Sequence, residues 1–330
     1  MTAFLPSLGI ALAFSSVTAF ASEKKITVAA DGSGNFKTVQ EAIAAAPAKS
    51  SERVVIHIKP GTYEGTFVIP NEKPNLTLEG DDARTTILTW DKNVKDPIPE
   101  GYDKFNPGLL VRGDNFRAEN LTIQNTSGDR GQALAARVDS DRVVFKNCRL
   151  TGWQDTLMVN NGRQYFKDCY IEGRVDFIYG SGTTVFENCT IHSKNGGYVT
   201  AASTPQEKPF GFVFLKCKLT GDETPWQNPA ATEPPQVKKK PNALFGRPWR
   251  AYSSVAFLNC EIGDHIKPEG WSNWNRVENE STARYAEYGN TGPGAATDQR
   301  VPWAKQLSKE EADKITVQSV LAGSDNWKPE

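Results

Sequence analysis

The chain has 330 residues, of which 38% are hydrophobic and 23% are charged, and its formal net charge is −1 at pH 7. This hydrophobic content is sufficient for a buried core, and the near-zero charge gives no reason to predict nucleic acid or an anionic membrane as a partner. No internal stretch is long and apolar enough to span a bilayer.

Residues 1–21 are predicted to be a secretory signal peptide. They carry no charged side chain, are mostly apolar or small, and end in Ala19-Phe20-Ala21, an A-x-A cleavage pattern. No Lys or Arg precedes the apolar run, so a packed or disordered N-terminal arm is the alternative. We therefore expect a secreted protein, either extracellular or held in the periplasm or at the cell surface.

A helix and a long loop are predicted in the next part of the chain. Thr38 and Glu41 form a capping-box signature before the alanine-rich run 42–46, which Pro47 stops. Asp91–Pro107 is predicted to be a long loop, and long loops on a rigid scaffold often build a binding cleft.

One six-residue phrase recurs five times, and each copy contains one of the five cysteines. A Phe lies three residues before the Cys, and Leu or Ile lies two residues after it. The copies are 145–150 (FKNCRL), 166–171 (FKDCYI), 186–191 (FENCTI), 214–219 (FLKCKL) and 257–262 (FLNCEI). Two earlier segments read similarly, with Leu76 and Leu121 in the cysteine position. The successive steps along this column are 45, 27, 21, 20, 28 and 43 residues.

This repeat predicts an all-β fold, a right-handed parallel β-helix formed by residues 22–330 as a single domain. Short β-branched and aromatic runs bounded by Gly, Asn or Asp bury their apolar faces only when the repeats stack. The offset of three residues from Phe to Cys is odd, so both side chains can face the core only if the chain bends at the residue before the Cys. That residue is Asn or Asp in four phrases and Lys216 in the phrase 214–219. The steps of 45 and 43 residues indicate one rung plus a long loop, or two rungs. A β-sandwich is the alternative fold.

Stacked cysteines on neighbouring rungs have Cα atoms within disulfide range, and export would permit oxidation. We predict a disulfide between Cys169 and Cys189. Five buried free thiols are the alternative.

The cysteine column also predicts a pair of stacked carboxyl groups. Asp155 lies seven residues after Cys148, and Asp176 lies seven residues after Cys169. If the rungs are in register, the two carboxyl groups lie roughly 5 Å apart, close to the spacing of parallel strands. Two carboxyls at that distance resist joint ionisation, so one can serve as an acid while the other serves as a nucleophile or base. The alternative is structural: a turn cap for Asp155 and an ion pair for Asp176.

Polar and aromatic residues near this pair favour ester or glycoside hydrolysis. Gln154 and, one rung upstream, Gln132 can donate to a transient oxyanion, although ordinary backbone hydrogen bonds are the alternative. Arg247 can hold an aspartate ionised, and Trp249 offers a flat face to a sugar ring. A structural Arg-Pro-Trp turn is the alternative for that cluster.

Two further segments complete the chain. Gly221–Asn242 is rich in Pro, polar and charged residues and is predicted to be a long, solvated loop. Ser308 and Glu311 repeat the capping-box signature before a helix over 312–321, and helices at both ends would cover the terminal rungs of a solenoid.

Several catalytic signatures are missing from the sequence. It contains no H-E-x-x-H motif, no paired-cysteine zinc spacing, no G-x-S-x-G elbow and no phosphate-binding glycine loop. We therefore predict carboxylate chemistry without a metal or cofactor.

The motifs together resemble the pectin methylesterase family, and short loops with Gly197–Ala201 resemble its microbial branch. The resemblance covers about residues 25–328. Its segments are Gly131–Arg137, Gly152–Leu157, Val175–Gly180 and Gly246–Tyr252, with outer matches at Asp31–Phe36, Tyr285–Tyr288 and Gly292–Gly294.

The resemblance implies a carboxylic ester hydrolase in which Asp176 attacks the methyl ester of a galacturonate unit. It implies that Gln132 and Gln154 stabilise the tetrahedral intermediate. Asp155 would protonate the departing methanol and then activate water, and Arg247 would keep Asp176 ionised.

The resemblance also implies that Trp249 and Tyr179 contact sugar rings and that pectin is the partner of a monomeric enzyme. Tyr179 stands where the family more often has Phe, and Ser254 stands where Arg is common. A pectin lyase or polygalacturonase, or a β-helix that binds carbohydrate without turnover, are the alternatives. The set of carboxylates and glutamines favours the esterase.

Overall fold

The structure is a computed structural model that describes residues 24–222 and 240–329, together with Met1. Nearly all of the predicted signal peptide, residues 2–21, lies outside the described residues. Residues 223–239 of the predicted loop at Gly221–Asn242 also lie outside them. Within the described part of the chain, no helix has the length and apolar character needed to cross a membrane.

The described residues form 24 strands, almost all of them short. In chain order the strands are β1 Lys24–Val28, β2 Val54–Ile58, β3 Gly61–Glu64, β4 Phe67–Ile69, β5 Leu76–Gly80, β6 Thr86–Trp90, β7 Leu109–Val111, β8 Arg117–Glu119, β9 Thr122–Asn125, β10 Ala136–Val138, β11 Val143–Lys146, β12 Arg149–Thr151, β13 Leu157–Val159, β14 Arg163–Lys167, β15 Tyr170–Gly180, β16 Thr183–Glu187, β17 Thr190–Ala202, β18 Phe212–Leu215, β19 Lys218–Gly221, β20 Ala243–Gly246, β21 Ser254–Leu258, β22 Glu261–Ile262, β23 Arg284–Tyr288 and β24 Lys305–Gln306.

These strands build a parallel β-helix, as the repeat predicts. One sheet contains eleven strands in the order β1-β2-β5-β8-β11-β14-β16-β18-β21-β23-β24. The other strands form a second sheet with two columns, β3-β6-β9-β12 and β4-β7-β10-β13, which the long strands β15 and β17 join. The coils from β2 to β20 therefore contribute to the same three stacks, and the core runs along the inside of the solenoid.

The repeated phrase sets the register of the coils. The phenylalanines of the five phrases pair in succession, and their rings stack at centroid distances of 4.6, 4.9, 4.5 and 4.3 Å. The residue before each cysteine is left-handed, with φ between 50° and 55°. The predicted bend is confirmed, and it allows both Phe and Cys to point into the core.

The prediction assigned two leucines to the cysteine column, and one of these assignments is wrong. Leu121 occupies the column, because Thr122, the residue after it, pairs with Arg149, the residue after Cys148. Leu76 does not, because its strand places Leu78 opposite Ala118. Asn75 and Asn120, which precede these leucines, both have a left-handed backbone. Asn75 bends the chain before β5, whereas Asn120 bends it after β8.

The step of 43 residues is one rung plus a loop, and β5 to β8 is likewise one rung plus a loop. Phe214 pairs directly with Phe257, so the step of 43 residues adds a single rung. The predicted loop Asp91–Pro107 likewise lies between β6 and β7, without a strand of its own.

The five cysteines are buried free thiols, so the predicted disulfide between Cys169 and Cys189 is wrong in this structure. Each Sγ lies near a backbone carbonyl of the preceding coil. For example, Cys169 Sγ lies 3.5 Å from the carbonyl oxygen of Phe145, and Cys189 Sγ lies 3.5 Å from that of Phe166. The thiols therefore donate to the neighbouring coil, and the alternative prediction holds.

Helices occur near both ends of the chain. The first, α1 Val39–Ala45, has the predicted capping box and packs on the N-terminal coils. The predicted C-terminal helix is two short helices, α2 Lys309–Asp313 and α3 Val317–Leu321, because a second capping box at Thr316 starts a new helix. These helices cover an apolar strip on the outer face of the eleven-stranded sheet rather than the last rung. A 3₁₀ helix spans Val277–Ser281.

Candidate active site

Asp155 and Asp176 lie on adjacent coils in the alignment that the spacing predicts. Leu157 pairs with Ile178, and the backbone N–H of Asp155 donates to the carbonyl of Val175 at 3.1 Å. Both aspartates have a left-handed backbone conformation, with φ of 65° for Asp155 and 53° for Asp176. Both side chains line the same cleft, although the residues are only 5% and 7% exposed.

Two glutamines lie beside the aspartates on consecutive coils. Gln132 and Gln154 form a parallel bridge, and the backbone N–H of Ala133 donates to the carbonyl of Gln154 at 3.0 Å. The Gln132 amide reaches Asp155, with Nε2 donating to Oδ2 at 2.9 Å. Both glutamine side chains line the cleft.

Arg247 binds Asp176 through two parallel hydrogen bonds. Nε donates to Oδ1 at 2.9 Å, and Nη2 donates to Oδ2 at 2.7 Å. The backbone of Arg247 is tied to β17, because its N–H donates to the carbonyl of Thr200 at 3.0 Å. A Cβ at Gly246 would lie 2.0 Å from Thr200 Oγ1, so only glycine allows this close approach.

The two carboxyl groups are in different electrostatic environments. Burial, followed by repulsion from Asp176, raises the pKa of Asp155 to about 7. Burial also raises the pKa of Asp176, but the hydrogen bonds and charge of Arg247 oppose this increase. The pKa of Asp176 therefore still lies above its ordinary value, but Arg247 limits the increase. Among the described residues Asp155 has no such bidentate cation, and it is the group that holds a proton at mildly acidic pH.

The walls of the cleft are aromatic. Tyr179 and Trp249, both predicted from the sequence, pack edge to face with ring centroids 5.8 Å apart. The Tyr179 hydroxyl is close enough to Asp155 to oppose part of the increase in its pKa. Its geometry does not meet the criteria for a hydrogen bond with any described group. Phe105 and Trp274 complete the lining and were not predicted.

The sequence offers a weak signal for one of the two missed aromatics. Phe105 lies in the predicted long loop, whose role in a cleft was expected. Asp103 fixes that part of the loop, because its Oδ1 accepts from Phe105 N at 2.9 Å and from Arg137 Nη1 at 3.0 Å. Trp274 lies outside the repeat, in the segment after β22, and no local pattern marks it.

The arrangement combines a carboxyl with a pKa of about 7, a second carboxyl bound by Arg247 and amide donors around a cavity of about 180 Å³. An anion can attack a carbonyl carbon, amides can stabilise the oxyanion, and an acid can protonate the leaving group. Within residues 24–222 and 240–329, no group of three or more His, Cys, Asp or Glu side chains is placed to hold a metal ion. The geometry suits acyl transfer.

Comparison with known proteins identifies the family. The sequence profile of the pectinesterase family matches residues 25–324. Pectinesterase 31 of Arabidopsis thaliana is 38% identical over 302 residues, which is 88% of this chain and 90% of that protein. Pectinesterase 5 of the same plant is 40% identical over 91% of this chain, which spans only 50% of that longer protein.

Solved structures agree with this assignment. Pectin methylesterase from carrot has a TM-score of 0.81 and 36% identity, covering 92% of this chain and 95% of its own. The deglycosylated Aspergillus niger enzyme has a TM-score of 0.78 and 28% identity, covering 92% and 95%. A pectin methylesterase in complex with a hexasaccharide has a TM-score of 0.77 and 28% identity, covering 94% and 99%.

The predicted microbial type is not supported, because the plant proteins share more identity with this chain than the fungal structure does. The sequence match, the β-helix and the paired aspartates lead to the same assignment. The chain belongs to the pectinesterase family.

Proposed function

We propose that this protein hydrolyses the methyl esters of galacturonate units in pectin and releases methanol. The observation that carries the proposal is the pair Asp155 and Asp176, two stacked carboxyls of which one is neutral and the other is held by Arg247. The substrate follows from the family and from the oligosaccharide bound to a related enzyme.

In the first half of the reaction, an Asp176 oxygen forms a bond to the ester carbonyl carbon. The carbonyl oxygen becomes an oxyanion, which accepts hydrogen bonds from the amides of Gln132 and Gln154. One N–H of Gln132 is used on Asp155, and its second N–H is available for the oxyanion. The intermediate collapses, the bond to the methoxy oxygen breaks, and Asp155 gives its proton to departing methanol.

In the second half, Asp155 accepts a proton from water, and the resulting hydroxide attacks the acyl carbon of the anhydride. The bond to Asp176 breaks, which leaves a galacturonic acid carboxyl group, an ionised Asp176 and a protonated Asp155. The new carboxyl group then releases its proton to water. Because Gln132 donates to Oδ2 of Asp155, the transferable proton belongs on Oδ1. Trp249 and Tyr179, whose rings pack against each other in the wall of the cleft, are suited to contact the sugar rings of the substrate.

A methanol-release assay on methylated pectin tests this function. We expect activity in the wild type and its loss in Asp176→Ala and in Asp155→Ala, with both variants folded by circular dichroism. Asp168→Asn is the matched control, since Asp168 is also left-handed but exposed on the surface. Full activity in either alanine variant would contradict the mechanism.

The same reaction mixtures test the other functions. Unsaturated or new reducing ends without methanol would indicate a pectin lyase or polygalacturonase. Pectin binding without any product would indicate a carbohydrate-binding protein.

We also propose that the protein is exported and acts as a monomer without a cofactor. The apolar segment ending in Ala19-Phe20-Ala21 supports export. N-terminal sequencing of protein recovered from the medium would locate the cleavage site. Recovery of uncut protein from the cytoplasm alone would contradict export.

A further inference from the structure

The guanidinium group of Arg247 lies between two aromatic rings. Its central carbon is 4.0 Å from the ring centroid of Tyr198 and 3.7 Å from that of Trp274. Its nitrogens meanwhile bind both oxygens of Asp176. Contact with two rings and a bidentate carboxylate leaves the planar cation little freedom to rotate.

The two rings come from distant parts of the chain. Tyr198 lies on β17, where it pairs with Val175 on the coil that carries Asp176. Trp274 follows β22 and lies 76 residues after Tyr198 in the sequence. It reaches Arg247 from a segment that belongs to neither long sheet.

The backbone around Trp274 is held in a conformation that ordinary residues rarely adopt. Trp274 and Asn275 have consecutive positive φ values of 63° and 57°. Hydrogen bonds stabilise this turn: Trp274 N donates to Ser272 Oγ at 3.2 Å, and Asn275 N donates to Asn273 Oδ1 at 2.8 Å. The turn directs the indole toward Arg247.

We propose that Tyr198 and Trp274 are positioning residues that hold the Arg247 guanidinium in line with the Asp176 carboxylate. This inference rests on the proposed esterase function. Tyr198 is not among the residues that line the cleft, so we expect it to act through Arg247, whereas Trp274 also lines the cleft where substrate would lie.

The charges that face Asp176 give the sign of the expected effect. Arg247 lowers the pKa of Asp176 against the effect of burial, and the neighbouring Asp155 is neutral below about pH 7. A guanidinium released from its rings would stabilise the anion less, so the pKa of Asp176 would rise. The acid limb of the pH–rate profile would then move to higher pH.

The experiment compares Tyr198→Leu with Tyr198→Phe in methanol release from pectin. For Tyr198→Leu we expect the acid limb of kcat to move up by about 0.5 pH unit or more and kcat to fall about tenfold, with KM nearly unchanged. Tyr198→Phe keeps the ring and should restore both values. Trp274→Leu should shift the limb in the same direction and also raise KM.

Tyr170→Leu is the matched control, because Tyr170 lies 4.2 Å from the Arg149 guanidinium outside the cleft. We expect its pH profile to match that of the wild type. If Tyr198→Leu does not fold, Tyr198→Met preserves bulk without a ring and replaces it. An unshifted acid limb in an active, folded Tyr198→Leu enzyme would overturn the inference. Absence of methanol from the wild type would instead overturn the proposed function.

Discussion

We expect the Asp155→Asn variant to have a larger free energy of unfolding than the wild type, by an amount that grows as the pH rises. The carboxyl has a pKa of about 7 in the native state, against 3.8 for an unperturbed group. Between these values the unfolded chain ionises while the folded protein keeps its proton, so the free energy of unfolding of the wild type falls with increasing pH. At about 1.4 kcal/mol for each pH unit, the full penalty above pH 7 is roughly 4 kcal/mol.

The variant removes this penalty because an amide does not ionise. Weaker hydrogen bonding of the buried amide costs about 1 kcal/mol, which leaves a net gain of roughly 3 kcal/mol above pH 7. Near pH 4 the folded wild type and the folded Asp155→Asn variant are both neutral at residue 155, so the gain in stability disappears there. Urea unfolding followed by tryptophan fluorescence at intervals from pH 4 to 8 measures the difference.

Asp168→Asn controls for the substitution itself. Asp168 has the same left-handed backbone but is exposed, and Asn occupies the equivalent place in three other phrases. Its effect on stability at each pH is the baseline from which the effect of Asp155→Asn is measured. If the stability gain of Asp155→Asn is the same at pH 4 and pH 8, the reasoning about a buried, protonated Asp155 is refuted.

Three further outcomes are expected. The rate of methanol release should fall as the pH rises through about 7, because Asp155 then loses its catalytic proton; a rate still increasing at pH 9 would contradict that role. Gly246→Ala should lower stability by about 1–3 kcal/mol, measured as a lower Tm, since its Cβ would meet Thr200 Oγ1; an unchanged Tm would show that this contact relaxes freely. Unfolding without reductant should expose five reactive thiols per chain, whereas three would indicate one disulfide.

The repeat carries much of the fold, because coil-to-coil register follows local chemistry. Asn147 and Asp168 adopt the left-handed bend that these residue types tolerate, so the Phe and Cys of each phrase both turn inward. Asp155 and Asp176 then follow at equal distances from their cysteines. Leu76 shows where this reasoning fails, since the same short pattern also fits the opposite corner of a coil.

The sequence by itself determined the solenoid, the stacking of the two aspartates and the family, because these depend on residue types at regular spacing. The sequence also predicted Gln132, Gln154 and Arg247 beside those carboxyls, but only the tertiary structure decided which aromatic rings hold Arg247 in place. Arg247 lies 71 residues after Asp176, and its neighbours Tyr198 and Trp274 reach it from separate coils and a strained turn. The structure likewise has all five cysteines as free thiols, each with its Sγ near a carbonyl of the preceding coil. Such contacts depend on the three-dimensional path of the chain, which leaves no periodic signal in the sequence.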